Sequence, residues 1–314
     1  VNPDDGYIAL IINPKSGSSS NKAMVGEFRE YLKDRGFSVR THLTQSLTHA
    51  GELATRAAGE PECMLVAAAG GDGTIREVAH GLEGRPTPLL VIPTGTENLL
   101  GNELGFDLKT QTVVHAFEGG VVRALDLGRA NGRCFTSICG FGFDGTVVKI
   151  VNEKRKGHIN HLDYFWPLWQ TFWGHRFPRF EIEIDGDETI DGHGMLFVGN
   201  ISRYAIGLQL LHYADYSDGL LDLCFYKCRG HVHLLKHAAL TVLKRHADRP
   251  DVIYRKCRTI RVRSSDAWVN TEIDGDPGPA LPIDIEAVPH AVRILVPPGA
   301  KPAGIRTRLL RMLS

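Results

Sequence analysis

The chain reads as two domains: an α/β N-terminal domain with a parallel sheet covered by helices, then a β-rich antiparallel, sandwich-like second domain. Three observations carry this. Strand and helix patterns alternate over residues 1–123, and the strands there are apolar throughout, as in a parallel sheet buried on both faces. From about Ala124 many strand-like runs alternate apolar with polar residues, which suits antiparallel sheet with one wet face. The string Gly70-Gly71-Asp72-Gly73-Thr74 joins an apolar run, Cys63 to Ala69, to a helical pattern at 74–82.

The elements follow in order. Tyr7 to Ile12 is a continuous apolar strand that ends in the polar turn Asn13-Pro14-Lys15-Ser16-Gly17-Ser18-Ser19. Residues 21–35 have helical spacing, with Met24, Phe28, Tyr31 and Leu32 on one face and Gly36 as the stop. Phe37 to Leu43 alternates as a strand, and Thr48 is the expected cap of the next helix, to about Ala58. After the helix 74–82, Leu89 to Ile92 is a fourth strand, ending in Pro93-Thr94-Gly95-Thr96. Ligands of parallel sheets gather beyond the carboxyl ends of the strands. The turns after Ile12, Ala69 and Ile92 all lie at such ends, so they are expected to converge.

In the second domain, 124–296, strands are expected at Leu125–Gly128, Arg133–Ile138, Phe180–Ile184, Gly194–Gly199, Leu221–Tyr226, Thr259–Arg263 and Val292–Val296. Asp185-Gly186-Asp187 and Asp274-Gly275-Asp276 read as turns between strands. Two helices interrupt, at about 162–174, with Trp166, Trp169, Phe172 and Trp173, and at about 231–247. The segment 297–314 is expected to return to the first domain, and its tail mixes arginines with leucines as a surface-lying helix would.

Composition excludes some functions. The 36 basic and 36 acidic residues cancel, so nothing global attracts nucleic acid, and no nucleic-acid partner is expected. No apolar run is long enough to span a bilayer, and no signal-peptide pattern opens the sequence. The six cysteines form no Cys-x-x-Cys pair, which argues against zinc and for a reduced, cytoplasmic protein.

The chemistry lies in the three turns. Glycines let a backbone approach a phosphate closely, and helix N-termini aim N–H groups at the anion. Asp72 then needs a reason, because a carboxylate beside a phosphate is repelled unless a cation bridges them or the acid takes part in chemistry. Gly-Lys-Ser/Thr is absent, so this is no Walker A loop, and Gly-x-Gly-x-x-Gly does not occur there either. Phosphate must be held by three separate turns.

The order of these segments resembles the diacylglycerol kinase catalytic-domain family, which includes sphingosine kinases and bacterial lipid kinases. Asn13-Pro14-x-Ser16-Gly17, Gly70-Gly71-Asp72-Gly73-Thr74-x-x-Glu77-Val78 and Pro93-x-Gly95-Thr96-x-Asn98 are similar to its nucleotide segments, and Thr44 to its threonine after the second strand. Gly140-Phe141-Gly142-Phe143-Asp144, Gly199-Asn200, Asp218-Gly219-Leu220-Leu221-Asp222 and Asp274-Gly275-Asp276 resemble later segments. The resemblance spans roughly residues 7–297 and implies transfer of the ATP γ-phosphoryl group to a lipid hydroxyl in a cleft between the domains. It implies ATP and Mg2+ as cofactors and a nucleotide site of Asn13, Ser16, Gly17, Thr44, Gly70, Gly71, Asp72, Gly73, Thr74, Glu77, Thr96 and Asn98. It puts a catalytic carboxylate at Asp276 with Asp274 beside it, Asp72 being the metal-side acid or the base itself. It also implies a structural metal on the Asp218 carboxylate and main-chain oxygens mapped to Asp215 and Leu220. A lipid substrate at a membrane surface is the implied partner, with the enzyme cytoplasmic or peripheral there, and relatives often form homodimers.

Three positions depart from the family pattern. Leu99 stands where Asp commonly follows Asn98, Asp276 replaces Glu, and the loop Ile201–Leu208 has fewer glycines than usual. Two alternatives follow: a kinase on a soluble acceptor, since NAD kinases share Gly-Gly-Asp-Gly-Thr, or a catalytically weak nucleotide- or lipid-binding protein.

Overall fold

The computed structural model describes residues 2–154 and 172–300. The chain divides into two compact units, one running to Asp126 and resuming at His290, the other spanning Leu127–Pro289.

In the first unit, β1 (Tyr7–Ile12), β3 (Cys63–Gly70) and β4 (Leu89–Pro93) are the buried strands, and β2 (Ser38–Leu43) is a more exposed edge. They pair in parallel in the order β4-β3-β1-β2. The end of β15 (Ile283–Val296) adds a further parallel strand beside β4, pairing Ile294 with Leu89. Uninterrupted apolar strands form because helices cover both faces. Those helices are α1 (Ser19–Asp34), α2 (Leu47–Ala58), α3 (Asp72–Gly81), the short α4 (Leu99–Glu103) and α5 (Thr110–Gly119). α1 buries Met24, Val25, Phe28 and Leu32, one face at helical spacing. α2 is capped by Ser46 and not by Thr48: Ser46 has the extended backbone a cap needs, and its Oγ accepts from His49 N at 3.1 Å.

The second unit is a β-sandwich. Its strands are the end of β5 (Val121–Ala130), β6 (Arg133–Phe135), β7 (Ile138–Phe141), β8 (Arg179–Ile184), β9 (Glu188–Gly199), β10 (Leu221–Lys227), β11 (Val252–Cys257), β12 (Thr259–Arg263), β13 (Thr271–Ile273), β14 (Asp276–Pro277) and the start of β15. β9 serves both layers. Its first half pairs with β8, while Gly194–Gly199 pairs with β10 and Leu196–Gly199 also with β7. Phe180, Ile182, Ile260, Val262, Ile283 and Ile285 from one layer pack on Phe141, Leu196, Val198, Leu223 and Phe225 from the other. β8 and β12 alternate buried with exposed residues, as antiparallel strands with one wet face should.

One strand expected as a single run, Arg133–Ile138, is two. β6 ends at Phe135 and β7 starts at Ile138, because the amides of Thr136 and Ser137 turn to the carboxylate of Asp274. Two strands lie outside the expected set: β11, where Arg255-Lys256 interrupts the alternation, and the first half of β15, where Ile283–Glu286 alternates buried with exposed residues. Among the described residues, the helices of this unit include α6 (Phe143–Lys154) and α7 (His231–Val242). Trp166 and Trp169, most of the helix expected at 162–174, and the tail 301–314 lie outside the described residues.

Candidate functional site

The three turns of the first unit meet. Asn13 Nδ2 donates to Thr74 Oγ1 at 2.9 Å, tying the turn after β1 to the first turn of α3. Thr94 Oγ1 donates to Ser16 Oγ at 3.1 Å, and Thr94 N donates to Gly70 O at 3.0 Å. A Cβ added to Gly95 would lie 2.6 Å from the Cα of Gly71, and one on Gly70 would lie 2.4 Å from the Cβ of Thr74. Only glycine permits that approach. No side chain caps α3 at Gly71, so the helix presents its N-terminal backbone to the turn cluster.

Most of the residues assigned to the nucleotide therefore sit together. Gly17 takes a φ of 83° beside Thr94, and Gly73 lies in the first turn of α3. Asn98 has left-handed backbone and locks its own turn, accepting from Gly95 N at 2.7 Å and donating to Gly95 O at 2.9 Å. Thr96 is exposed on that turn, and Thr44 is buried at the exit of β2, its N–H on Ile12 O. Asp72 Oδ1 accepts from Leu100 N at 3.3 Å, and Leu99 is buried alongside. Glu77 is different, since its carboxylate is paired with the buried guanidinium of Arg76 at 3.1 Å. Sequence reasoning missed Thr94, which touches both other turns although it stands inside a quoted motif. It also missed a cavity of about 340 Å³ at the end of β1, lined by Asn13, Ser16, Lys22, Arg29 and Thr94. Lys22 and Arg29 come from one face of α1, about two turns apart, a signal hidden among ordinary surface charges.

In the second unit, Asp274 and Gly275 form a two-residue hairpin turn, with φ of 48° and 79°, between β13 and β14. Asp274, named beside Asp276 as a catalytic candidate, is surrounded by donors. Its Oδ1 accepts from Ser137 N and Ile138 N at 2.9 and 3.0 Å, and its Oδ2 from Thr136 N and Thr136 Oγ1 at 2.9 and 3.2 Å. A buried carboxylate held by four donors anchors the turn, and those donors favour its charged form. Asp276 opens β14, partly exposed, with Arg133 Nη2 3.4 Å from its Oδ2 and Arg133 Nη1 on Pro277 O at 2.6 Å.

Behind the turn lies a group that the sequence reading did not single out, Glu272. It is buried, and its Oε2 accepts from Gly275 N at 2.8 Å. Asp144 is also buried and accepts from the Tyr204 hydroxyl through Oδ1. The remaining oxygens, Asp144 Oδ2 and Glu272 Oε1, both crowd Gly140, where a Cβ would lie 2.2 and 2.8 Å from them. Two carboxyl groups this buried hold a proton between them. Burial first, then the neighbouring Asp144 charge, raises Glu272 well above the usual carboxylate range, and burial raises Asp144 as well.

Around Asp215, Asp218 and Leu220, the residues assigned to a structural metal, both carboxylates have protein partners. Lys256 Nζ lies 2.8 Å from Asp218 Oδ2 and 2.8 Å from the buried Asp222 Oδ2, while Asp218 Oδ1 accepts from Leu220 N. Asp215 Oδ1 accepts from Ser217 N and Oγ. The ammonium group of Lys256 supplies positive charge beside Asp218 and Asp222.

A first unit that converges three glycine-bearing turns on one helix N-terminus, followed by a β-sandwich carrying an acidic hairpin, defines a nucleotide-dependent phosphotransferase architecture. The chain belongs to the diacylglycerol kinase family. Residues 7–130 match the model of the diacylglycerol kinase catalytic domain, and residues 137–296 that of the YegS C-terminal NAD kinase beta sandwich-like domain. The chain is 30% identical to a diacylglycerol kinase of Bacillus subtilis over 92% of its own length and 95% of that protein's. It is 29% identical to one of Mycobacterium tuberculosis, covering 93% and 96%. A crystal structure of a diacylglycerol kinase from Bacillus anthracis superposes with a TM-score of 0.70 at 19% identity, covering 94% of this chain and 98% of that one.

Proposed function

We propose that the protein transfers the γ-phosphoryl group of magnesium-bound ATP to the hydroxyl of a diacylglycerol-like lipid at a membrane surface. The observation that carries this reading is the convergence of the turns at Asn13–Gly17, Gly70–Thr74 and Pro93–Asn98 on the N-terminus of α3. Phosphoryl transfer asks for positioning and charge stabilisation more than covalent chemistry, and backbone N–H groups at a helix start supply both. Magnesium enters with the nucleotide as part of the substrate and neutralises phosphate charge. It takes few protein carboxylates and keeps water, and Asp72 is the carboxylate this cluster offers. Asp276 is the base for the acceptor hydroxyl, since Asp274 is already saturated. The relatives named diacylglycerol kinase support a glyceride acceptor.

Incubating the purified protein with labelled ATP, Mg2+ and a panel of acceptors in mixed micelles tests this. The panel is diacylglycerol, sphingoid base, ceramide and phosphatidylglycerol, with NAD as the soluble acceptor. A labelled diacylglycerol product is expected, and Asp72→Ala should lower kcat/KM on the order of a hundredfold or more. Label in NAD alone would favour the soluble-acceptor reading, and tight ATP binding with no labelled product would sink phosphoryl transfer.

A further inference from the structure

α7 has a buried inner face and an apolar outer one. Leu234, His237 and Thr241 form the inner one, all buried. They are fixed by packing on Phe197, Cys224 and Tyr226, by the bond between His237 Nε2 and Lys227 O at 3.1 Å, and by that between Thr241 and Tyr226 hydroxyls at 3.1 Å. The outer face repeats at three- and four-residue steps: Val232, Leu235, Ala239, Val242 and Leu243. Exposure there is 80% at Val232, 58% at Leu235 and 64% at both Val242 and Leu243. A helix that only lined the sandwich would carry polar residues on this side. Trp173, 60% exposed, stacks near His231 at the start of the helix, with ring centroids 5.7 Å apart, and extends the patch.

Charge selects the occupant. From Arg229 to Ala247 there is no Asp or Glu, while Arg229, Lys236, Lys244 and Arg245 border the stripe. Lys236 is paired with Asp251, which leaves cations at both ends of the helix, at Arg229 and at Lys244-Arg245. A second copy of this chain docked on the same face would bring these cations against their own kind. An anionic bilayer surface supplies the opposite charge and an apolar layer for the leucines.

We propose that the outer face of α7, with Trp173, is the surface by which this protein docks on anionic membranes. The proposal rests on the lipid-kinase reading for its purpose, since the acceptor would be drawn from that bilayer, but not for its geometry.

Co-sedimentation of the full chain with vesicles of phosphatidylglycerol and phosphatidylcholine, against phosphatidylcholine alone, tests it. The protein should bind the anionic vesicles and bind the neutral ones more weakly. The double substitution Leu235→Glu with Leu243→Glu should weaken binding about tenfold or more, with an unchanged thermal midpoint because neither side chain faces the core. Lys244→Gln with Arg245→Gln should cost about fivefold per charge, and on anionic vesicles only. Equal binding by the wild type and the Leu235→Glu, Leu243→Glu protein would overturn the proposal. So would no binding by the wild type, or a solution dimer that these substitutions split. Vesicle binding lost in the variant, with no lipid phosphorylated by either protein, would keep the surface and reject the kinase reading. Lipid phosphorylated in mixed micelles by a protein that ignores vesicles would do the reverse.

Discussion

The turns Asp185-Gly186-Asp187 and Asp274-Gly275-Asp276 share a sequence pattern and a backbone, yet they occupy different chemical settings. Both put Asp and Gly in the left-handed region, with φ of 50° and 77° in one and 48° and 79° in the other. In both, the first aspartate clamps backbone amides of a distant segment: Asp185 takes Arg258 N and Thr259 N, and Asp274 takes Thr136, Ser137 and Ile138. The register differs. Ile184 pairs with Glu188, so Asp187 lies in a three-residue loop in solvent. Ile273 pairs with Asp276, so Asp276 is the first rung of a ladder, with Arg133 in front and the Asp144–Glu272 pair behind. A clamp alone is a structural device. What sets Asp276 apart is a carboxylate fixed in direction by strand pairing on a turn that buried acids hold from the rear.

The largest expected effect is on turnover. Asp276→Ala should lower lipid-kinase kcat on the order of 10²- to 10⁴-fold, as removal of a general base does. Asp187→Ala should leave kcat unchanged, and equal losses in the two variants would erase the distinction. Stability comes next. Asp274→Ala strands three buried amides and should cost about 2–4 kcal/mol in denaturant unfolding, whereas Asp185→Ala, at an exposed turn, should cost about 1 kcal/mol or less.

The smallest effect is on pH dependence. Glu272 and Asp144 keep a proton in the folded state that the unfolded chain gives up, so their contribution is fully present in acid and is lost as pH rises from the ordinary carboxylate range through the raised values. The loss cannot exceed about 1.4 kcal/mol per pH unit for one proton. Tyr204, Cys139 and Asp274 are the other ionisable groups around the pair. Glu272→Gln keeps an acceptor for Gly275 N and a donor toward Asp144, so its thermal midpoint should fall less with rising pH than that of the wild type. Parallel curves for the two proteins would refute the shared proton.

Much of this was legible in the sequence, for definable reasons. Apolar strands ending in Gly-rich turns announce a parallel sheet and its ligand side, and the contact of Asn13 with Thr74 follows from β1 and β3 lying side by side, while that of Thr94 with Ser16 spans the end of β3. Glu272 stayed hidden because a lone acid in Thr271-Glu272-Ile273 looks like the wet face of a strand. Only the pairing of β13 with β7 sets it beside Gly140, in reach of Asp144. Lys256 was hidden likewise, since its partners Asp218 and Asp222 lie more than thirty residues away. The metal role of the Asp218 segment came from the family resemblance, because Asp218-Gly219 by itself reads as an ordinary turn.

The clamp at Asp274 also orders the chain in time. The amides of Thr136, Ser137 and Ile138 belong to the first half of the sequence, and their acceptor is made 136 to 138 residues later. While the chain grows from its N-terminus, the turns after β1, β3 and β4 are made long before residue 274 exists. The break between β6 and β7 waits for that carboxylate. The residue that would receive the acceptor proton, two places further on, is thus set in place only when the closing hairpin reaches back to a strand synthesised much earlier.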